Sequence, residues 1–196
     1  MLNIKQSVEE PVDPYAGLGA EDVIDRGILD SNSHVLSGLM DSECIEAAIR
    51  WLIYENNKLG QHTLTLYINS MGGYLDDAFG LIDMMRHTKH NIRTVGVGNI
   101  MSAAFLVFSS GTKGMRFVGK NANIMSHQYS DCVDGKHHDL KAYMKVAEHT
   151  NQRMINLLKD NTGLDAATIK RKLLPPSDVW LTPQELLELG VADHVL

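Results

Sequence analysis

Cysteine is scarce in this chain. Cys44 and Cys132 are the two present, too few and too unpatterned for a disulfide framework or a cysteine-based zinc site, and they are expected to be free thiols in a reducing compartment. Basic charge is also short: eighteen Lys and Arg face twenty-four Asp and Glu, a net charge of -6. The cations form no stripe or block, which argues against a nucleic-acid surface. No long apolar run exists; the stretch from Ile100 to Phe108 is far too short to span a bilayer. The first twenty-five residues carry Glu9, Glu10, Asp13, Glu21, Asp22 and Asp25 without an apolar h-region, so no secretory signal is expected. No internal repeat or low-complexity tract interrupts the sequence. What remains is an ordinary globular composition, 44% apolar and 21% charged, long enough for one domain with a full core.

Residues 1–27 are polar and include Pro11, Pro14, Gly17 and Gly19, the pattern of a mobile arm. Ile28-Leu29-Asp30 and His34 to Leu39 read as short strands. Asp41 or Ser42 can cap a helix carrying Ile45, Ala48, Ile49, Leu52 and Ile53, with Gly60 as its stop. Leu64 to Asn69 is a compact strand ended by the turn Ser70-Met71-Gly72-Gly73, and Ala78, Leu81, Ile82 and Met85 mark the next helix. A strand over 92–98 and a helix over 102–110 complete a β-α-β-α centre with parallel strands. In open parallel sheets ligands sit at the carboxyl ends of strands, which places Gly72-Gly73 and Ser102 on the functional edge.

Phe117-Val118 and Ile124-Met125 are short strand candidates, the second followed directly by Ser126-His127-Gln128. Residues 131–138 are polar and irregular, and a long helix is expected over 139–159. A further helix over 165–173 breaks at Pro175-Pro176, which stiffens the loop holding Ser177 and Asp178. Thr182-Pro183-Gln184-Glu185 is a capping box that opens a short helix.

Ser102 is the residue of most chemical interest, because a hydroxyl at a helix N-terminus sits near unpaired N–H groups and the positive end of the helix dipole. On that stretch alone a nucleophile and a plain packing or N-capping serine both fit. His137-His138 lacks the carboxylate pattern of a metal site and reads as solvated loop.

Several segments together resemble the proteolytic subunit of the Clp protease, a serine peptidase of the crotonase-like spiral fold. They are Tyr67 to Gly73, Gly98 to Arg116, His127-Gln128, and Trp180-Leu181-Thr182 with Gly190 to Asp193. The resemblance covers 28–196 and implies an α/β spiral of βαβ units with a projecting handle helix, the handle region lying at about 128–160. It implies Ser102 as nucleophile, His127 as general base and Asp178 as the acidic member of a catalytic triad, with the N–H groups of Gly73 and Ala103 forming the oxyanion hole. The chemistry needs these types, since serine is a weak nucleophile until a neutral imidazole takes its proton and a carboxylate fixes the tautomer. The order Ser, His, Asp and the absence of Gly-x-Ser-x-Gly set the chain apart from the α/β-hydrolases.

The implied activity is endopeptidase cleavage of peptides and unfolded proteins, inside a tetradecamer of two stacked heptameric rings. No phosphate-binding Gly-x-x-x-x-Gly-Lys-Ser/Thr loop is present, so a separate AAA+ Clp ATPase is the expected partner. No cofactor, metal, nucleic acid or membrane is expected, and the location is cytoplasmic or a soluble organellar compartment. The alternatives are a non-catalytic ring subunit and an acyl-CoA enzyme of the same superfold. Two departures from the family pattern stand out: Met71 and Tyr129 occupy positions where members usually carry proline. The chain is also slightly longer than usual between His127 and Asp178.

Overall fold

The computed structural model describes residues 17–196, which fall into two compact units divided after Ser31. In the first, helix α1 (Ala20–Asp30) begins with Glu21 and Asp22 in its first turn, where carboxylates favour a helix N-terminus. Ile28-Leu29-Asp30, expected as strand, is therefore the last turn of α1. The first sixteen residues of the expected arm lie outside the described residues.

The second unit is mixed α/β. Strand β1 (Ser33–Met40) leads to α2 (Ser42–Asn56), then β2 (Thr63–Gly73), α3 (Leu75–His87), β3 (Asn91–Met101) and α4 (Ala103–Ser109). Strands β1, β2 and β3 are neighbours and parallel, as the alternating pattern required. Asp41 caps α2 by accepting from the Cys44 N–H at 2.9 Å. The sheet continues through β4 (Arg116–Val118) and β5 (Asn123–Ser126), which lie one after the other along the free edge of β3. Helix α5 (His137–Thr162) and α6 (Ala166–Lys172) follow. The chain ends with β6 (Val179–Leu181), α7 (Pro183–Glu188) and β7 (His194–Val195). β7 pairs with β4, and β6 runs antiparallel to β5.

Two differences from the sequence reading matter for the site. Ser70 to Gly73 is not a tight turn: β2 runs on through it, still paired with β1 across an irregularity at Gly38/Leu39. The Ser70 hydroxyl, which donates to the Gly38 carbonyl at 2.6 Å, bridges that irregularity. The second difference is β6, a three-residue strand whose pairing with β5 is its reason to exist.

The core lies between the sheet and helices α2 to α5, with Leu36, Leu66, Ile68, Ile100, Phe105 and Phe108 fully buried. All seven residues of α4 are buried. Burying Phe or Leu contributes roughly 1.5–3 kcal/mol each, so the turn entering α4 is anchored from below. Helix α5 is different along its length: its first three turns are largely exposed, and its buried residues begin at Thr150. No helix of the described residues is long and apolar enough to cross a membrane.

Candidate active site

Three adjacent strands end at one place. Met101, at the end of β3, pairs with Met125 of β5, and the Ser102 N–H donates to the Met125 carbonyl at 3.0 Å. Ser102 and His127 are thus brought together by register, each just past the end of its strand. On the other side of β5, Ser126 pairs with Val179 of β6. His127 and Asp178 each lie one residue beyond that last pair of the antiparallel register.

Ser102 has φ 53° and ψ -123°, a sparsely populated conformation for a residue with a Cβ, worth about 1–3 kcal/mol of strain that a functional turn can hold. It occupies the N-cap position of α4, yet its hydroxyl makes no capping bond. The hydroxyl instead lies 2.8 Å from His127 Nε2, a contact that a plain packing or N-capping serine does not require.

The other imidazole nitrogen decides what Nε2 can do. His127 Nδ1 lies against the carbonyl oxygen of Gln128 at 2.5 Å. A carbonyl can only accept, so Nδ1 carries a hydrogen, and in the neutral ring Nε2 is then the bare nitrogen able to accept from Ser102. That is the tautomer a general base needs.

Gly72 and Gly73 are required by close approach. A Cβ on Gly72, whose φ is +96°, would sit 2.8 Å from both the Met101 carbonyl oxygen and Ser102 Cβ; on Gly73 it would sit 2.2 Å from the Met40 carbonyl oxygen. The N–H of Ala103 opens α4 and has no intrahelical acceptor to reach. Gly73, Ser102, Ala103 and His127 all line one cleft of about 700 Å³, which extends to Leu39, Asp77 and Met154.

Asp178, expected as the acidic member of the triad, lies just before β6. It is exposed, and the position on Nδ1 that the expected triad gives it is held by the Gln128 carbonyl. The sequence reading missed that carbonyl. It also missed Asn151, whose Oδ1 accepts from the Tyr129 N–H at 2.9 Å. A signal existed, since tyrosine at the usual proline position supplies an N–H that proline lacks. Among the described residues no group of three or more His, Cys, Asp or Glu is placed to hold a metal ion, and Cys44 and Cys132 are free thiols.

A strained serine at a strand-to-helix turn, bonded to the bare nitrogen of an oriented imidazole, is the arrangement of a serine hydrolase. The family model described as Clp protease matches residues 18–196, and the chain belongs to that family. Among its relatives is the ATP-dependent Clp protease proteolytic subunit 2 of Corynebacterium diphtheriae, 29% identical over 92% of this chain and 90% of the relative. The protein of the same name from Rhodococcus jostii is 28% identical over 92% of each chain. The ATP-dependent Clp protease proteolytic subunit 1 of Leifsonia xyli is 29% identical over 88% of this chain and 86% of the relative.

Proposed function

We propose that the chain is a serine endopeptidase subunit of a Clp-type protease, with Ser102 as nucleophile and His127 as general base. The single observation that carries this is the 2.8 Å contact between Ser102 Oγ and a His127 Nε2 left free to accept its proton. In the first step Ser102 Oγ attacks the scissile carbonyl carbon while its proton passes to Nε2. The oxyanion that forms is received by the N–H groups of Gly73 and Ala103; it collapses with cleavage of the C–N bond as the imidazolium returns the proton to the leaving amine, and a water that gives its proton to the same imidazole then hydrolyses the Ser102 acyl ester.

Asp178 completes the triad in this reading. The Gln128 carbonyl holds the Nδ1 hydrogen in the free enzyme. As the imidazole gains charge, a bond to a carboxylate outweighs one to a neutral carbonyl. The β5–β6 register supports Asp178 as that carboxylate, because residues opposite each other in an antiparallel pair share a face with Cβ atoms about 5 Å apart.

The names of the relatives support ATP dependence, and the resemblance supports two stacked heptameric rings in which α5 is the handle. A AAA+ Clp ATPase then delivers unfolded chains to the cleft, in the cytoplasm or a comparable soluble compartment. The test is labelling by a fluorophosphonate together with hydrolysis of a short fluorogenic peptide. Ser102→Ala should leave chain assembly intact, abolish labelling and lower kcat by about 10⁴-fold or more. An unlabelled wild-type protein would leave the non-catalytic ring subunit, or an acyl-CoA enzyme without a serine nucleophile, as the better account.

A further inference from the structure

The backbone just after the general base is held in an unusual way. The Gln128–Tyr129 peptide is a single planar unit with two functional ends. Its carbonyl accepts from His127 Nδ1, and its N–H donates to Asn151 Oδ1 at 2.9 Å. A continuous chain of hydrogen bonds therefore runs from Asn151 on α5 through this peptide to the imidazole and on to Ser102 Oγ.

Both flanks of the unit are tied down. The Gln128 side-chain amide donates to the Leu174 carbonyl at 3.0 Å, which fixes one end to the segment leading to the Pro175-Pro176 loop. The Tyr129 phenol lies 2.8 Å from the Tyr143 hydroxyl of α5, and both phenols donate to the Asp131 carboxylate. These bonds, with the Cys132 N–H, hold Asp131 below the usual carboxylate range. The acceptor on Asn151 is thus aimed at a peptide that has little freedom to turn.

We propose that Asn151 is a positioning residue for the catalytic histidine, acting through the Gln128–Tyr129 peptide and made possible by tyrosine where the family usually has proline. This rests on the reading of Ser102 and His127 as nucleophile and base. A proline fixes φ but offers no hydrogen; Tyr129 gives up the fixed φ and gains a donor, which Asn151 catches. An N–H engaged by an acceptor also polarises its own peptide, so the Gln128 carbonyl becomes a stronger acceptor for Nδ1. The handle helix, whose first turns are exposed, is through Asn151 coupled directly to the orientation of the base.

The test uses the full chain, checked for assembly by size, in five forms: wild type, Asn151→Leu, Asn151→Asp, Tyr129→Pro and the double variant Tyr129→Pro/Asn151→Leu. The readouts are the rate of fluorophosphonate labelling and kcat and KM for a short fluorogenic peptide. Asn151→Leu, nearly isosteric but without an acceptor, should lower kcat and the labelling rate about tenfold, the worth of one hydrogen bond. KM should stay within about twofold, since no substrate contact is removed. Asn151→Asp keeps the acceptor and should stay within about threefold of wild type. Tyr129→Pro removes the same bond from its other side, and adding Asn151→Leu to it should cost nothing more.

Unchanged labelling in Asn151→Leu, or an Asn151→Asp variant as impaired as Asn151→Leu, would overturn the inference while leaving the peptidase reading in place. Should Asn151→Leu fail to fold, full activity in Tyr129→Pro would overturn it in the same way. A wild-type protein that does not label at Ser102 removes the peptidase reading, and the inference with it.

Discussion

Asp193 and Asp178 lie fifteen residues apart in the sequence and could hardly be treated more differently by the fold. Asp193 Oδ2 accepts from the backbone N–H of Gly114 and of Arg116 and from Arg116 Nε, while Oδ1 accepts from Arg116 Nη2 at 2.7 Å. Arg116 is itself almost wholly buried, and its remaining nitrogen reaches the Ser109 and Asn161 carbonyls. Asp178 is exposed, one residue beyond the last pair of the β5–β6 register. A carboxylate whose oxygens are saturated by fixed donors has a structural task, whereas an exposed one keeps acceptors that another partner can take. Saturation, more than the residue type, separates the two.

The largest expected effect is on the saturated member. Asp193→Asn would leave the Arg116 guanidinium buried without its counter-charge, and removing one partner of such a pair costs about 3–5 kcal/mol. Burial pushes the Asp193 carboxyl up, but the hydrogen bonds and charge of Arg116 and the Gly114 N–H outweigh it and hold the group below its ordinary value. A depressed folded value means that the stabilisation is fully present above the unfolded carboxylate range, near pH 4, and is lost as pH falls through the lower folded value. Thermal melts should therefore show a large deficit for the variant at pH 7 that narrows below about pH 4. A deficit that persists unchanged in acid would show that packing, and not the ion pair, is at stake.

Asp178→Asn should do the reverse: leave the melting temperature where it is and lower kcat about a hundredfold. The loss is held to that size because the Gln128 carbonyl still keeps the hydrogen on Nδ1, so the wrong tautomer is not formed. In an Asn151→Leu background, where that carbonyl is less well held, the same substitution should cost more than in the parent. A loss beyond about a thousandfold in the parent would assign Nδ1 to Asp178 alone during turnover. A change within a few-fold would remove Asp178 from the mechanism.

These contrasts also explain what the sequence could show. The β-α-β-α centre, the Asp41 and Thr182 caps and the long helix were legible because each rests on local periodicity or a local side-chain bond. Ser102 and His127 were legible as a matched pair of segments, although their meeting depends on the pairing of β3 with β5. Val179–Leu181 carries too few residues for a periodic signal and becomes a strand by pairing with β5. The Ile28–Asp30 stretch was misread for the converse reason: three residues of apolar-then-acidic sequence do not distinguish a strand from the last turn of α1. The Gln128 carbonyl left no trace, because every residue has one, and Asn151 is one polar residue among many on a 26-residue helix.

A third aspartate lies between the extremes and gives the smallest effect. Asp41 accepts one side-chain hydrogen bond, from the Cys44 N–H at 2.9 Å, and its backbone carbonyl accepts from Ile45 at 3.0 Å. Replacing it with alanine orphans one donor in the first turn of α2 and costs about 1 kcal/mol, the usual worth of an N-cap; asparagine, which caps as well, should cost almost nothing. Asp41 follows Met40, whose carbonyl accepts from the Tyr74 N–H at 2.8 Å, next to Gly73 in the cleft. That bond joins backbone to backbone and does not involve the Asp41 side chain, so kcat of Asp41→Ala should stay within about twofold of wild type while its urea midpoint falls. A tenfold loss of kcat at unchanged stability would mean that the end of β1 reaches the oxyanion site, and that a singly bonded carboxylate can matter to chemistry as much as an open one.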